Sequence, residues 1–229
     1  MGSVGGSPRV TGGDIGLISA ALMTAVGGYL DAFLFLRHQV FGFAQTGNVV
    51  FLAVALVKGD NWSKYAWPLL AYLAGLVAAQ VVRTLAPDLP ARLVVAVLGF
   101  QLVVFVILAC LPSDAPEGWF VIPLSFVGGI RLELFRSAGA VSFVSIATTG
   151  NLMRFVSAAA DLVRDRSPQR LSAAGATFLI AIAFLLGALC GAAVTDAIGP
   201  ALWGAVILEG ASVVVLIAAA RAQQPATGV

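Results

Sequence analysis

The chain has 229 residues, 60% hydrophobic and only 10% charged, with a net charge of +2 and a mean hydropathy of +0.99. Soluble domains carry about 25% charged residues, and a chain this short has too little interior to hide so much apolar side chain, so a lipid bilayer is the implied solvent and partner. The small net charge leaves no basic face for nucleic acid, and the only cysteines, Cys110 and Cys190, lie in apolar runs and read as packing residues.

In chain order, residues 1–14 are rich in Gly and Ser and predict a disordered tail. They lack the charged start and cleavage-site pattern of a signal peptide, and Gly6 stands where a myristoylation signal needs Ser or Thr. Six stretches then reach the ~20 mostly apolar residues of a helical span: 15–36, 65–85, 93–111, 119–135, 172–194 and 201–220. Trp67, Trp119 and Trp203 stand near the starts of three of them, with Trp62 and Tyr65 beside the first, as in an interfacial aromatic belt. The connectors 58–61, 87–90, 112–117 and 165–168 hold charges and breakers. A short polar tail, 222–229, closes the chain.

Two further apolar stretches, 40–57 and 140–163, contain a repeated pattern: Ala44-Gln45-Thr46-Gly47-Asn48 and Ala147-Thr148-Thr149-Gly150-Asn151. A glycine pair precedes each, Gly27-Gly28 and Gly128-Gly129, and Leu73-Ala74-Gly75 is echoed by Leu185-Leu186-Gly187. A common offset of about a hundred residues points to internal duplication, with repeats 15–111 and 119–221 inside a single membrane domain, 15–221.

The status of the patterned stretches decides the topology. If both cross, giving eight spans and a cytoplasmic N-terminus, the Lys/Arg tally is seven inside against five outside; if neither crosses, six spans give nine against three. Positive charge inside orients membrane proteins, which favours six. Seven spans with an external N-terminus score equally well, and the duplication decides between them, because equivalent halves of three spans each lie in opposite orientations. The expected fold is therefore an all-α polytopic helical membrane protein of two inverted 3+3 repeats, each with an interrupted or re-entrant Thr-Gly-Asn segment, and with its C-terminus in the cytoplasm.

Thr-Gly-Asn opening a helix offers a capping hydroxyl, a residue without a side chain and a second polar group, so backbone N–H groups can face a cavity. At membrane depth those groups need partners, and the positive end of the helix dipole favours an anionic or electron-rich solute. On this reading Thr46, Gly47, Asn48, Thr149, Gly150 and Asn151 bind substrate. The alternative is that Thr and Asn only bond neighbouring helices.

Gly28-Tyr29-Leu30-Asp31-Ala32, then Val40-Phe41, Thr46-Gly47-Asn48 and the second Thr149-Gly150-Asn151-Leu152, make the chain resemble the YoaK family of small bacterial integral membrane proteins over nearly its whole length. The resemblance implies a bacterial inner-membrane location and no defined substrate. Family members often carry Gln-Asn shortly after the second glycine pair, where this chain has Arg131-Leu132, so the resemblance assigns that pair no polar role.

An ionisable residue near the bilayer centre costs at least ~2.5 kcal/mol unless paired or hydrated. Glu209, near the middle of the last apolar stretch, is the best candidate for an embedded acid, and Asp31 shares with it the expected proton-coupling role. Arg154, one turn beyond Asn151, joins the substrate-binding set and needs a carboxylate or an anionic ligand. The other reading of Glu209 and Arg154 is an intramembrane ion pair that fixes packing. Glu133 reads as near an interface, Arg131 and Arg136 as charges at a cytoplasmic helix end, and His38, the single histidine, as interfacial.

No phosphate-binding glycine loop, metal-ligand spacing or nucleophilic triad is legible, so neither catalysis nor a cofactor or metal is expected. The expected function is a secondary transporter or permease for a small anionic or polar solute, proton-coupled through Asp31 or Glu209. The runner-up is a non-transporting assembly or sensor protein acting through partner helices. Gly187-Ala188-Leu189-Cys190-Gly191 offers a small-residue face suited to close helix contact, as in a homodimer.

Overall fold

The computed structural model describes residues 16–87, 89–135, 137–138, 141–142, 148–199 and 202–222. Residues 1–14, most of the C-terminal tail, Arg136 and the start of the second patterned stretch therefore lie outside the described residues. Among the described residues eight α-helices follow in order: α1 Leu17–His38, α2 Gln45–Lys58, α3 Ser63–Leu85, α4 Ala91–Ala109, α5 Glu117–Leu134, α6 Thr148–Arg164, α7 Pro168–Ile198 and α8 Trp203–Ala222. A two-residue antiparallel pair, Ser137–Ala138 with Val141–Ser142, sits between α5 and α6.

The breakers act where the sequence places them. Gly59 ends α2 in the left-handed region (φ 74°), Pro90 and Pro116 precede α4 and α5, and Pro168 occupies the first turn of α7. Among the described residues, α1, α3, α4 and α7 are long and apolar enough to cross a membrane. α8 is shorter in its apolar part, and α5 carries Glu117, Arg131 and Glu133 within its 18 residues. Large apolar side chains face outward all round, among them Val77, Ile107, Leu186 and Ile207, which in water would be an unsupportable patch and in lipid is the expected surface.

Two glycine seams hold the bundle together. On α7, a Cβ at Gly187 would strike the backbone of Ala25 and one at Gly191 the backbone of Tyr29, while on α1 a Cβ at Gly28 would strike the Phe184 carbonyl. In the second seam Gly129 lies against Tyr72, and Gly75 against Phe126 and Ile130. Without side chains at these points the backbones approach closely enough for dense packing, the main source of helix association in lipid. The face Gly187–Gly191, expected to serve contact between chains, is thus spent on α1 within the chain.

Contacts also fix helix directions. Ala25 meets Gly187 and Tyr29 meets Gly191, so α1 and α7 run parallel. Tyr72 meets Gly129 and Arg83 meets Glu133, so α3 and α5 run parallel. His38 at the end of α1 stacks on Phe120 at the start of α5, with ring centroids 5.7 Å apart, so these two are antiparallel. α8 opposes α1, since Ser212 meets Ser19 and Gly204 meets Tyr29. The end of α1 and the start of α3 therefore share one end of the bundle, and the segment between them, α2 included, leaves from and returns to that end. The end of α5 and the start of α7 share the opposite end, which likewise places α6 between two helix ends on one side. Trp62, Trp67, Trp119 and Trp203 all mark the end shared by α1's C-terminus and α3's start.

Candidate functional site

Two buried polar clusters occupy the bundle. The first is built on Asp31, 4% exposed, seven residues before the end of α1. Its Oδ1 accepts from the backbone N–H of Gly42 (3.0 Å) and Phe43 (2.8 Å), and its Oδ2 from that of Ala44 (3.0 Å). Seven helical residues span about 10 Å, so the chain leaving α1 folds back by that distance before α2 starts. Asn48, fully buried, holds the same loop from the other side: its Oδ1 accepts from Phe41 N–H (2.9 Å), and its Nδ2 donates to the Phe41 carbonyl (2.6 Å) and to Gln45 Oε1 (2.8 Å). Gln45 Nε2 donates to the Gly42 carbonyl (2.8 Å).

Ala44, not Thr46, is the N-cap of α2, and no side chain caps that position. Thr46 is exposed, Gly47 half-buried against the Phe41 ring, and Asn48 buried. The second copy has the same order, with Thr149 exposed, Gly150 half-buried and Asn151 buried to 2% exposure. The backbone donors just ahead of α2, those of Gly42, Phe43 and Ala44, are taken by Asp31. In this half the anion at the positive helix end belongs to the protein.

The second cluster centres on Arg131, the largest fully buried side chain among the described residues. Its Nη2 donates to Glu209 Oε1 (2.8 Å) and Gln101 Oε1 (2.7 Å), its Nε to Gln101 Oε1 (3.1 Å), and its Nη1 to the Met23 carbonyl (3.0 Å). The guanidinium carbon lies 5.9 Å from the ring centroids of both Phe43 and Phe105. Phe43 is the loop residue that Asp31 fixes, so the two clusters touch through it. Four helices supply the cluster: Met23 from α1, Gln101 from α4, Arg131 from α5 and Glu209 from α8. Two of its atoms have no hydrogen-bond partner among the described residues, Gln101 Nε2 and Glu209 Oε2.

The family model described as "Protein of unknown function (DUF1275)" matches residues 19–217. The chain belongs to this family. No curated protein and no solved structure matches it.

In this DUF1275 chain Arg131 is not a charge at an exposed helix end, as its position three residues before the end of α5 suggested. Its side chain turns into the bundle, where Glu209 neutralises it, and the nine-residue inside tally loses a member. Glu209 is fully buried in the bundle, and its partner is Arg131. Arg154 is half-buried on α6, which packs on α7 alone among the other helices, and no ion pair to it occurs among the described residues. Asp31 and Glu209 therefore belong to different clusters. Glu133 pairs with Arg83 (3.8 Å) towards the α5 end, as an interfacial residue can. Cys110 and Cys190 are exposed on the outer surface rather than packed inside. Gln101 was missed from the sequence. A lone Gln in the apolar run of α4 was the signal available for it.

Proposed function

We propose that this protein is a secondary transporter of the bacterial inner membrane for a small anionic or polar solute, built as two inverted halves, α1–α4 and α5–α8. Six helices cross, and α2 and α6 are re-entrant. Supporting this reading are the exchange of partners between halves, with α1 on α7 and α3 on α5, the return of α2 to the end it left, and the matched exposure of Thr-Gly-Asn in both copies. Inverted repeats with broken segments around a shared site are a recurrent transporter design. Tryptophans at one end, with Arg83, Arg92, Arg164, Arg166 and Arg170 near the other, support a cytoplasmic location for the latter, which holds the start of α1 and the end of α8.

The observation that carries the proposal is Arg131 with Glu209 at 0% side-chain exposure, bonded to helices from both halves. An intramembrane charge costs several kcal/mol and is by default functional, and rocking of one half against the other would open it to either side in turn. No enzymatic activity is proposed. In proteoliposomes holding a pH-sensitive dye, screened against small carboxylates, amino acids and inorganic anions, wild type should carry at least one solute. Arg131→Gln, reconstituted to the same level, should carry none. Absence of flux for every solute would favour the assembly or sensor reading.

A further inference from the structure

Resting on that transporter reading, the geometry points to Glu209 as a resident counter-ion that an incoming monocarboxylate replaces on Arg131, with one proton taken up per anion bound. Two side-chain atoms of the cluster are unused. Glu209 Oε1 receives the Arg131 Nη2 hydrogen bond while Oε2, equally buried, receives none. Gln101 gives its Oε1 twice to Arg131 and leaves Nε2, a double donor, unused. Buried polar atoms without partners cost about 1–3 kcal/mol each. A cluster whose only role was to strut the helices would gain by satisfying them.

A carboxylate ligand arriving with a proton uses both, Gln101 Nε2 as a donor to the ligand and Glu209 Oε2 as the seat of the proton. One oxygen takes the Nη2 hydrogen bond that Glu209 Oε1 gives up, and the other accepts from Gln101 Nε2. The proton that enters with the anion binds Glu209, leaving a neutral acid, and the guanidinium keeps one negative partner throughout. Ligand charge is limited to one, because Arg131 is the single cation of the cluster among the described residues and a dianion would leave a charge uncompensated in the apolar interior. Phe43 and Phe105 beside the guanidinium favour an apolar tail over a hydroxylated one. Around Glu209, α5 contributes Arg131, α4 Gln101, and α1 contributes Ser19 and Tyr29 to the face of α8, so among the described residues Arg131 is the one charged group acting on it.

The test uses the full chain in detergent, with acetate as probe and chloride and acetamide as controls. Acetate should raise the melting temperature of wild type more at pH 5.5 than at pH 7.5, because a ligand that brings a proton binds more tightly where protons are plentiful. Each acetate bound should remove one proton from a weakly buffered solution. Glu209→Gln, which keeps the shape but cannot take the proton, should bind acetate equally at both pH values with no proton uptake, and Gln101→Leu should weaken binding at least tenfold. Acetate binding to wild type without pH dependence or proton uptake would overturn the inference, as would no binding by a wild type that carries a neutral solute in liposomes. Should Glu209→Gln fail to fold, proton counting on wild type alone decides. Proton-linked binding without flux would leave the site assignment standing and sink the transporter reading instead.

Discussion

Asp31 and Arg131 each bury a charge among apolar helices, and the two clusters balance it in opposite ways. Asp31 meets no cation among the described residues; three backbone N–H groups of one loop satisfy it, and neither carboxylate oxygen lacks a partner. Arg131 meets a carboxylate, an amide and a backbone carbonyl from three other helices, and leaves two side-chain atoms of the cluster unsatisfied. A saturated cluster of local bonds specifies backbone shape, here the return loop that sets Phe43 against Arg131. An unsaturated one that joins separate helices retains capacity for a ligand and for motion.

The contrast breaks first at Asp31. Asp31→Ala strands three N–H groups at membrane depth, each worth about 1–3 kcal/mol, and is expected to abolish recovery of monodisperse protein by size-exclusion chromatography. Replacing the other cluster outright, as Arg131→Met with Gln101→Leu and Glu209→Leu, is expected to keep the fold within about 2 kcal/mol of wild type, since a buried ion pair exchanged for apolar side chains is often near neutral, while the proposed transport is lost. A severe folding defect in that triple variant would make the Arg131 cluster structural and erase the distinction. Asn48→Ala removes three bonds from the return loop and should lower stability by about 1–3 kcal/mol in thermal unfolding. Thr46→Ala, on an exposed side chain, should change it by less than about 0.5 kcal/mol.

Helix positions were legible because hydropathy and Pro/Gly punctuation are local: the six apolar stretches fall on α1, α3, α4, α5, α7 and α8 with small shifts at the ends. Glu209 was legible for the same reason, as a lone acid in an apolar run. Arg131 was not, because three residues from a helix end is also where topogenic charge sits, and only tertiary packing decides whether a long side chain snorkels outward or turns in. Asp31 was singled out, but its task depends on the chain folding back on α1, and nothing in the spacing of Asp31 and Gly42 reveals that. Small-residue faces carry a similar ambiguity. Gly187 and Gly191 announce a close approach without saying which helix makes it, and the partner is α1 of the same chain.

If α2 enters and leaves at one face, the proposed halves are inverted. The direct measurement is labelling of single cysteines, in a Cys110→Ser, Cys190→Ser background, by a membrane-impermeant maleimide on right-side-out vesicles. Cysteines at Arg37, before α2, and at Asp60, after it, should both react from outside, while one at Arg166 should react only once the vesicles are opened. Labelling of Arg37 and Asp60 positions from opposite sides would make α2 a full span and contradict the account.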